Sequence, residues 1–157
     1  MMYQYSDHNE HNDISLHDCR AAKLNIGQNT VTFVFETGIY VLESNSQNYN
    51  KQLSYTETAE VEFRTKHREI QNAVTVYLFT ETADGDRAIR ESVSPAALAE
   101  MLSSGMELEF LYAYQGCQSW LFNCWLWSDA EPYHKECEII ISADEVTYYW
   151  NALHPEA

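Results

Sequence analysis

Apolar positions recur at every second residue along most of this chain, and that recurrence predicts strands. In TVTFVFE, Val31, Phe33 and Phe35 fall on one face and Thr30, Thr32, Val34 and Glu36 on the other. CRAAKLNI (19–26) predicts the strand before it, with GQN as the turn, and IYVLE (39–43) a third strand beyond Thr37 and Gly38. Turns this short join antiparallel neighbours, so the three strands read as a meander. AEVEFRTK (59–66) sets Val61 and Phe63 against Glu60, Glu62 and Arg64, the pattern of a strand with one face in water. NAVTVYLFTE (72–81) and RAIRESV (87–93) follow, joined by ADGD.

The heaviest pattern comes later. MELEFLYAYQ places Met106, Leu108, Phe110, Tyr112 and Tyr114 on one face. CQSWLFNCWLW sets Trp120 and Phe122 on one side and Leu121, Trp125 and Trp127 on the other. A strand apolar on both sides belongs in the middle of a sheet covered on each face. DAEPYHKE (129–136) reads as a loop and CEIIIS as another strand.

The period becomes helical in SPAALAEMLSSG. Ser94 suits the N-cap, Pro95 the first helical position and Gly105 a left-handed terminus. At 143–153, Ser142 and Glu145 match a capping box, and Val146, Tyr149, Trp150 and Leu153 match helical spacing. VTYYW within that run is equally a β-favouring sequence, and the segment is read here as a short helix. Residues 1–12 read as a loose tail and 44–55 as a long polar loop, of which the pattern leaves the order open. The fold expected is a mainly β, or β-dominated α+β, single domain over 13–157. It would be an antiparallel sandwich or barrel of about eight or nine strands, with one capped helix near 95–104.

Charge narrows the roles open to such a domain. The net charge of the 157 residues is −15. Residues 101–157 hold 9 acidic side chains against Lys135 alone. Such a surface repels nucleic-acid backbones and anionic membranes, and favours a basic protein partner. No window is long and apolar enough for a membrane helix, and the polar start MMYQYSDHNEHND lacks a secretory pattern, so a cytoplasmic location is expected. Cys19, Cys117, Cys124 and Cys137 fit no zinc or CxxC spacing and read as reduced, unreactive thiols.

The candidate chemistry is sparse. No P-loop, GxGxxG, GxSxG or HExxH occurs, so no enzyme class and no cofactor is implied. On a strand, His17 and Cys19 of ISLHDCR would share a face, but residues two apart lie about 7 Å from each other, too far for a direct dyad. Cys19 is therefore expected in the core, with Asp18 and Arg20 fixing the strand's entry. His8, His11, Asp13, His17 and Asp18 have metal-binding chemistry without a rigid spacing, and no metal site is assigned to them. In RTKHRE, Arg64, Lys66 and Arg68 would share the face of an edge strand defended by charge. The aromatics Tyr112, Tyr114, Trp120, Trp125 and Trp127 are core filling or, where exposed, a surface for a partner or a ligand such as a sugar.

The run His17-Asp18-Cys19-Arg20, a short strand, VTFVFE, Gly38 and IYVLE resembles the opening of small uncharacterised bacterial proteins that begin with a His-Asp-small motif and a β-meander. Some of those are similar to immunity proteins of polymorphic toxin systems. The resemblance spans residues 14–42 and brings no catalytic residue. It implies a non-enzymatic binding role in which His17, Asp18 and Arg20 mark the motif.

Overall fold

The structure, a computed structural model, describes residues 2–8, 12–85 and 88–156. Strands β1 (Tyr5–His8), β2 (Ile14–Ser15), β3 (Cys19–Ala21), β4 (Lys23–Ile26), β5 (Thr30–Phe35), β6 (Tyr40–Val41), β7 (Ser54–Thr56) and β8 (Ala59–Arg64) precede a helical turn, α1 (Ile70–Ala73). Strands β9 (Val74–Glu81) and β10 (Ala88–Val93) then lead into helix α2 (Pro95–Ser103). Strands β11 (Glu107–Gly116), β12 (Ser119–Trp127), β13 (His134–Ser142), β14 (Glu145–Trp150) and β15 (Leu153–Pro155) complete the order.

These strands form three antiparallel sheets and no closed barrel. One sheet runs β1-β14-β8-β5-β4, the second β10-β9-β13-β12-β11-β3, and the third, β15-β7-β6-β2. The first two sheets pack face to face. Alternation points Phe33, Phe35 and Phe63 inward from one and Phe110, Trp120 and Phe122 inward from the other. The rings meet edge to face: Phe33 on Phe110 at 5.3 Å, Phe63 on Trp120 at 5.2 Å and Phe110 on Phe122 at 5.1 Å. All six side chains are buried within one hydrophobic cluster. The edge-to-face contacts add attraction to the burial of their large apolar area.

The β-dominated class expected from periodicity is the observed one, and α2 begins and ends where expected. Ser94 Oγ accepts from the Ala97 N–H at 3.0 Å, and Gly105 takes φ +111°. Leu98 and Leu102 bury the apolar stripe of α2, which packs on β4 and β9.

Elsewhere long-range pairing overrides the local reading. The segment expected as a C-terminal helix is β14, followed by β15. Val146, Tyr148 and Trp150 sit opposite Phe63, Val61 and Tyr5, and pairing on both sides satisfies the backbone of this β-favouring run. Tyr5–His8, expected in a loose tail, is an edge strand, held by Tyr5 stacked on Trp150 at 5.9 Å. CRAAKLNI is two strands in two sheets, divided at Ala22, whose N–H bonds the Val34 carbonyl. The three-strand meander is absent: β5 pairs with β4 and β8, and β6 joins β2 and β7. Strand β8 is central, not an edge, and ends at Arg64; the Arg64 guanidinium bonds Glu62 at 3.1 Å.

The segment expected as a polar loop over 44–55 is a loop only to residue 53, since Ser54 and Tyr55 open β7, and its asparagines order it. Asn48 Nδ2 donates to the carbonyls of Val41, Leu42 and Gln52, and Asn45 Nδ2 to Asp7. Asn45 and Asn48 are buried, and the Asn48 bonds satisfy backbone carbonyls that a loop would otherwise leave unpaired, while Asn45 ties the loop to the Asp7 carboxylate.

Candidate functional site

Ile14 and Ser15 pair with Val41 and Tyr40 in the third sheet, and the chain then turns through Leu16, His17 and Asp18 into β3. Asp18 adopts φ +64°, a conformation its short polar side chain tolerates. Its N–H donates to the Phe110 carbonyl at 2.7 Å, and His17 Nδ1–H donates to the Leu111 carbonyl at 2.5 Å. The turn is thereby clipped onto β11 at the point where that strand bulges, between Phe110 and Tyr112. His17 Nε2 lies 3.4 Å from Asp18 Oδ2, and its ring stands 5.9 Å from that of Tyr112.

The clip also ends the pairing. Strand β3 meets β11 only across Leu108–Phe110, while β12 continues along the other side to Gly116. Among the described residues no strand covers the outer edge of Tyr112–Gly116. The bulge turns the strand over as well. Tyr112 and Tyr114 sit opposite Asn123 and Leu121, not on the face of Phe110, and are 60% and 57% exposed. This corrects the single apolar face expected for 106–114.

Beside that edge a cleft of about 690 Å³ opens into the sandwich. Phe110, Trp120 and Phe122 line it from one sheet, Tyr148 from the other, and Ile14 and Leu16 at its end. No described residue lining it is Lys or Arg. Tyr148 faces inward because it pairs between Val61 and Asp7. No hydrogen bond to its hydroxyl is formed among the described residues. Burial, and then the nearby carboxylates of Asp7 and Asp13, push the phenol up to about 12. Asp13 lies between the lining residues Asn12 and Ile14, is 8% exposed, and has no hydrogen bond or ion pair to its carboxylate among the described residues.

The remaining residues singled out from sequence stand apart. Trp125 and Trp127 are half-buried on the outer face of their sheet. Arg20 lies 4.8 Å over the Trp127 ring and 3.5 Å from Glu107, Trp127 Nε1 donates to Glu109 at 3.0 Å, and His134 packs on both indoles. The expectation that β12 is covered on both faces is thus met on one: among the described residues its outer face carries no further sheet. The structure brings His17, Tyr112, Tyr114 and Trp120 together and leaves Arg20, Trp125 and Trp127 in a separate cluster. Tyr148 and Asp7 escaped the sequence reading because one fell in the expected helix and the other in the expected tail.

Cys19 contributes no chemistry to the cleft. Its Sγ is buried and donates only weakly, to the Ser15 and His17 carbonyls at 3.9 and 3.7 Å. Burial first, and then Asp18 and Glu109, push the thiol up to about 12 against a smaller lowering by a Tyr40 backbone hydrogen bond, so at pH 7 it stays a thiol. Cys124 and Cys137 are buried with raised pKa values, whereas Cys117 is exposed. Native protein at pH 8 is therefore expected to release one equivalent of thionitrobenzoate from a disulfide reagent, against four after denaturation. Cys117→Ser should abolish the native signal; a second fast thiol would contradict the burial of the other three.

Of the residues with metal-binding chemistry, His8 bonds Thr147 Oγ1 at 3.0 Å, and His11 lies outside the described residues. Among the described residues no three His, Cys, Asp or Glu side chains converge, and no helix is long and apolar enough to cross a membrane. No protein-family model, curated protein or solved structure matches the chain.

Proposed function

We propose that this protein is a non-enzymatic binding module that captures a basic protein partner, in the manner of an immunity-type inhibitor acting in the cytoplasm. The observation that carries the reading is the aromatic cleft with no Lys or Arg in its lining, whose Tyr148 lies near the carboxylates of Asp7 and Asp13 and whose His17 lies beside Asp18. Aromatic anchors supply contact area at low entropic cost, and carboxylates around them select and steer a cationic surface. A net charge of −15 extends that steering over the whole molecule. The test is capture of partners from cells of the native host by immobilised protein, at about 0.05 and about 0.3 M salt. A basic protein should bind at low salt, elute at high salt, and be lost when Asp7, Asp13 and Asp18 are changed together to asparagine. A retained protein indifferent to both changes, or none retained, removes the reading.

A second reading has one observation in its favour. The cleft volume of about 690 Å³ lies within the range of small-molecule sites, with Trp120 and Phe122 in its apolar lining and Tyr112 at its edge. A sugar that binds only the native state raises the melting temperature. A saturable shift with one sugar, abolished by Tyr112→Ala, would favour this reading over protein capture.

A further inference from the structure

We propose that the cleft receives an extended basic segment of the partner as an added strand on the free edge of β11. The inference rests on the protein-binding reading and specifies its site and mode. Three observations carry it.

The edge itself is the first. From Tyr112 to Gly116, β11 is bonded to β12 on one side, and among the described residues it is open on the other. Backbone groups along such an edge are a template for a further strand. The clip of His17 and Asp18 on the Leu111 and Phe110 carbonyls fixes where an added strand must begin.

The second observation is the floor beneath that edge. Side chains of an added strand alternate between outside and inside, and those pointing in would meet Trp120, Phe122 and Tyr148. The third is charge. Asp13 is 8% exposed without a polar partner for its carboxylate among the described residues, and Asp7 stands across the ladder from Tyr148. Carboxylates beside a cleft that has no cation in its lining attract a cation delivered there. A lysine or arginine on the incoming segment supplies that cation and a donor for the unpaired Tyr148 hydroxyl's lone pairs. An acidic or purely apolar segment supplies neither.

The probes are capped ten-residue peptides alternating Lys with Val and Thr, a Glu counterpart, and a Lys peptide N-methylated at alternate residues. The Lys peptide is expected to bind saturably and to slow amide exchange within Tyr112–Gly116. The Glu peptide should bind at least about tenfold more weakly, as should the N-methylated one, which keeps the charges but loses the ladder. Asp13→Asn should weaken the Lys peptide by a similar factor; the N-methylated peptide makes the same test without altering the protein. Equal binding of the methylated peptide, protection elsewhere, or no peptide binding overturns strand addition. A native partner that still binds in a salt-dependent way under those results leaves the protein-binding reading intact. Absence of any partner removes both.

Discussion

Phe63→Ala is expected to destabilise the protein by about 3–5 kcal/mol, the loss typical of deleting a buried aromatic ring. Phe63 is 1% exposed on β8, the middle strand of its sheet. Its ring meets Phe33 at 6.2 Å within that sheet, and Trp120 and Phe122 at 5.2 and 5.9 Å across the interface. Alanine loses the transfer free energy of the ring and leaves a void bounded by two hydrogen-bonded sheets. Neither sheet can collapse into it without breaking ladder bonds, so relaxation recovers little. Urea unfolding followed by tryptophan fluorescence should show a lower midpoint at an unchanged slope. Tyr114→Ala, at a side chain 57% exposed, should stay within about 0.5 kcal/mol of the parent. A Phe63→Ala cost below about 1 kcal/mol would mean that the two sheets are not joined through these rings.

The same rings show how far the pattern of the chain reaches. Period two is a local signal, and it gave β5, β8, β12 and the β-dominated class. Helix α2 was legible because its start and stop lie within one short stretch, from Ser94 to Gly105. The bulge in β11 was not, since alternation runs through Leu111 without interruption and one added residue reverses the faces of Tyr112 and Tyr114. Residues 145–150 fit both periods. The choice between them depended on β1 and β8, about 140 and 85 residues away in the chain, which a local pattern cannot weigh. The crossing from one sheet to another at Ala22 has no glycine or proline to announce it.

The candidate site divides in the same way. His17, Tyr112, Tyr114 and Trp120 were visible as unusual residues, and net acidity as a property of the whole. Their convergence is a consequence of the third sheet, which carries β2 to the open side of the sandwich. Tyr148 had a signal: read with period two, it shares a face with Val146 and Trp150. Asp7 had one as well, since Tyr3, Tyr5 and Asp7 alternate with polar residues as an edge strand does.

The junction that holds that third sheet in place should be intolerant of a single methyl group. Gly38→Ala is expected to cost more than about 3 kcal/mol, by two separable effects. Gly38 takes φ +89°, and its Cβ would stand 2.0 Å from the Thr56 carbonyl oxygen and 2.7 Å from that of Glu57. Both obstacles are backbone, so no rotamer change relieves them. The segment that must move is bonded to the next residue twice: the Ile39 N–H donates to Thr56 Oγ1 at 3.0 Å and the Thr56 N–H to the Ile39 carbonyl at 2.8 Å. Shifting it loosens β6 from β7, and with β6 the pairing that seats β2 and the His17–Asp18 turn beside the cleft. Gly105→Ala supplies the control. Its φ is +111° with open space around the site, so it carries the conformational cost alone, about 1–3 kcal/mol. Chemical denaturation should therefore rank Gly38→Ala well below Gly105→Ala. Hydrogen exchange in the former should accelerate first at residues 39–41 and 54–56. Equal costs for the two variants would show that the approach of Gly38 to Thr56 is not what anchors the third sheet.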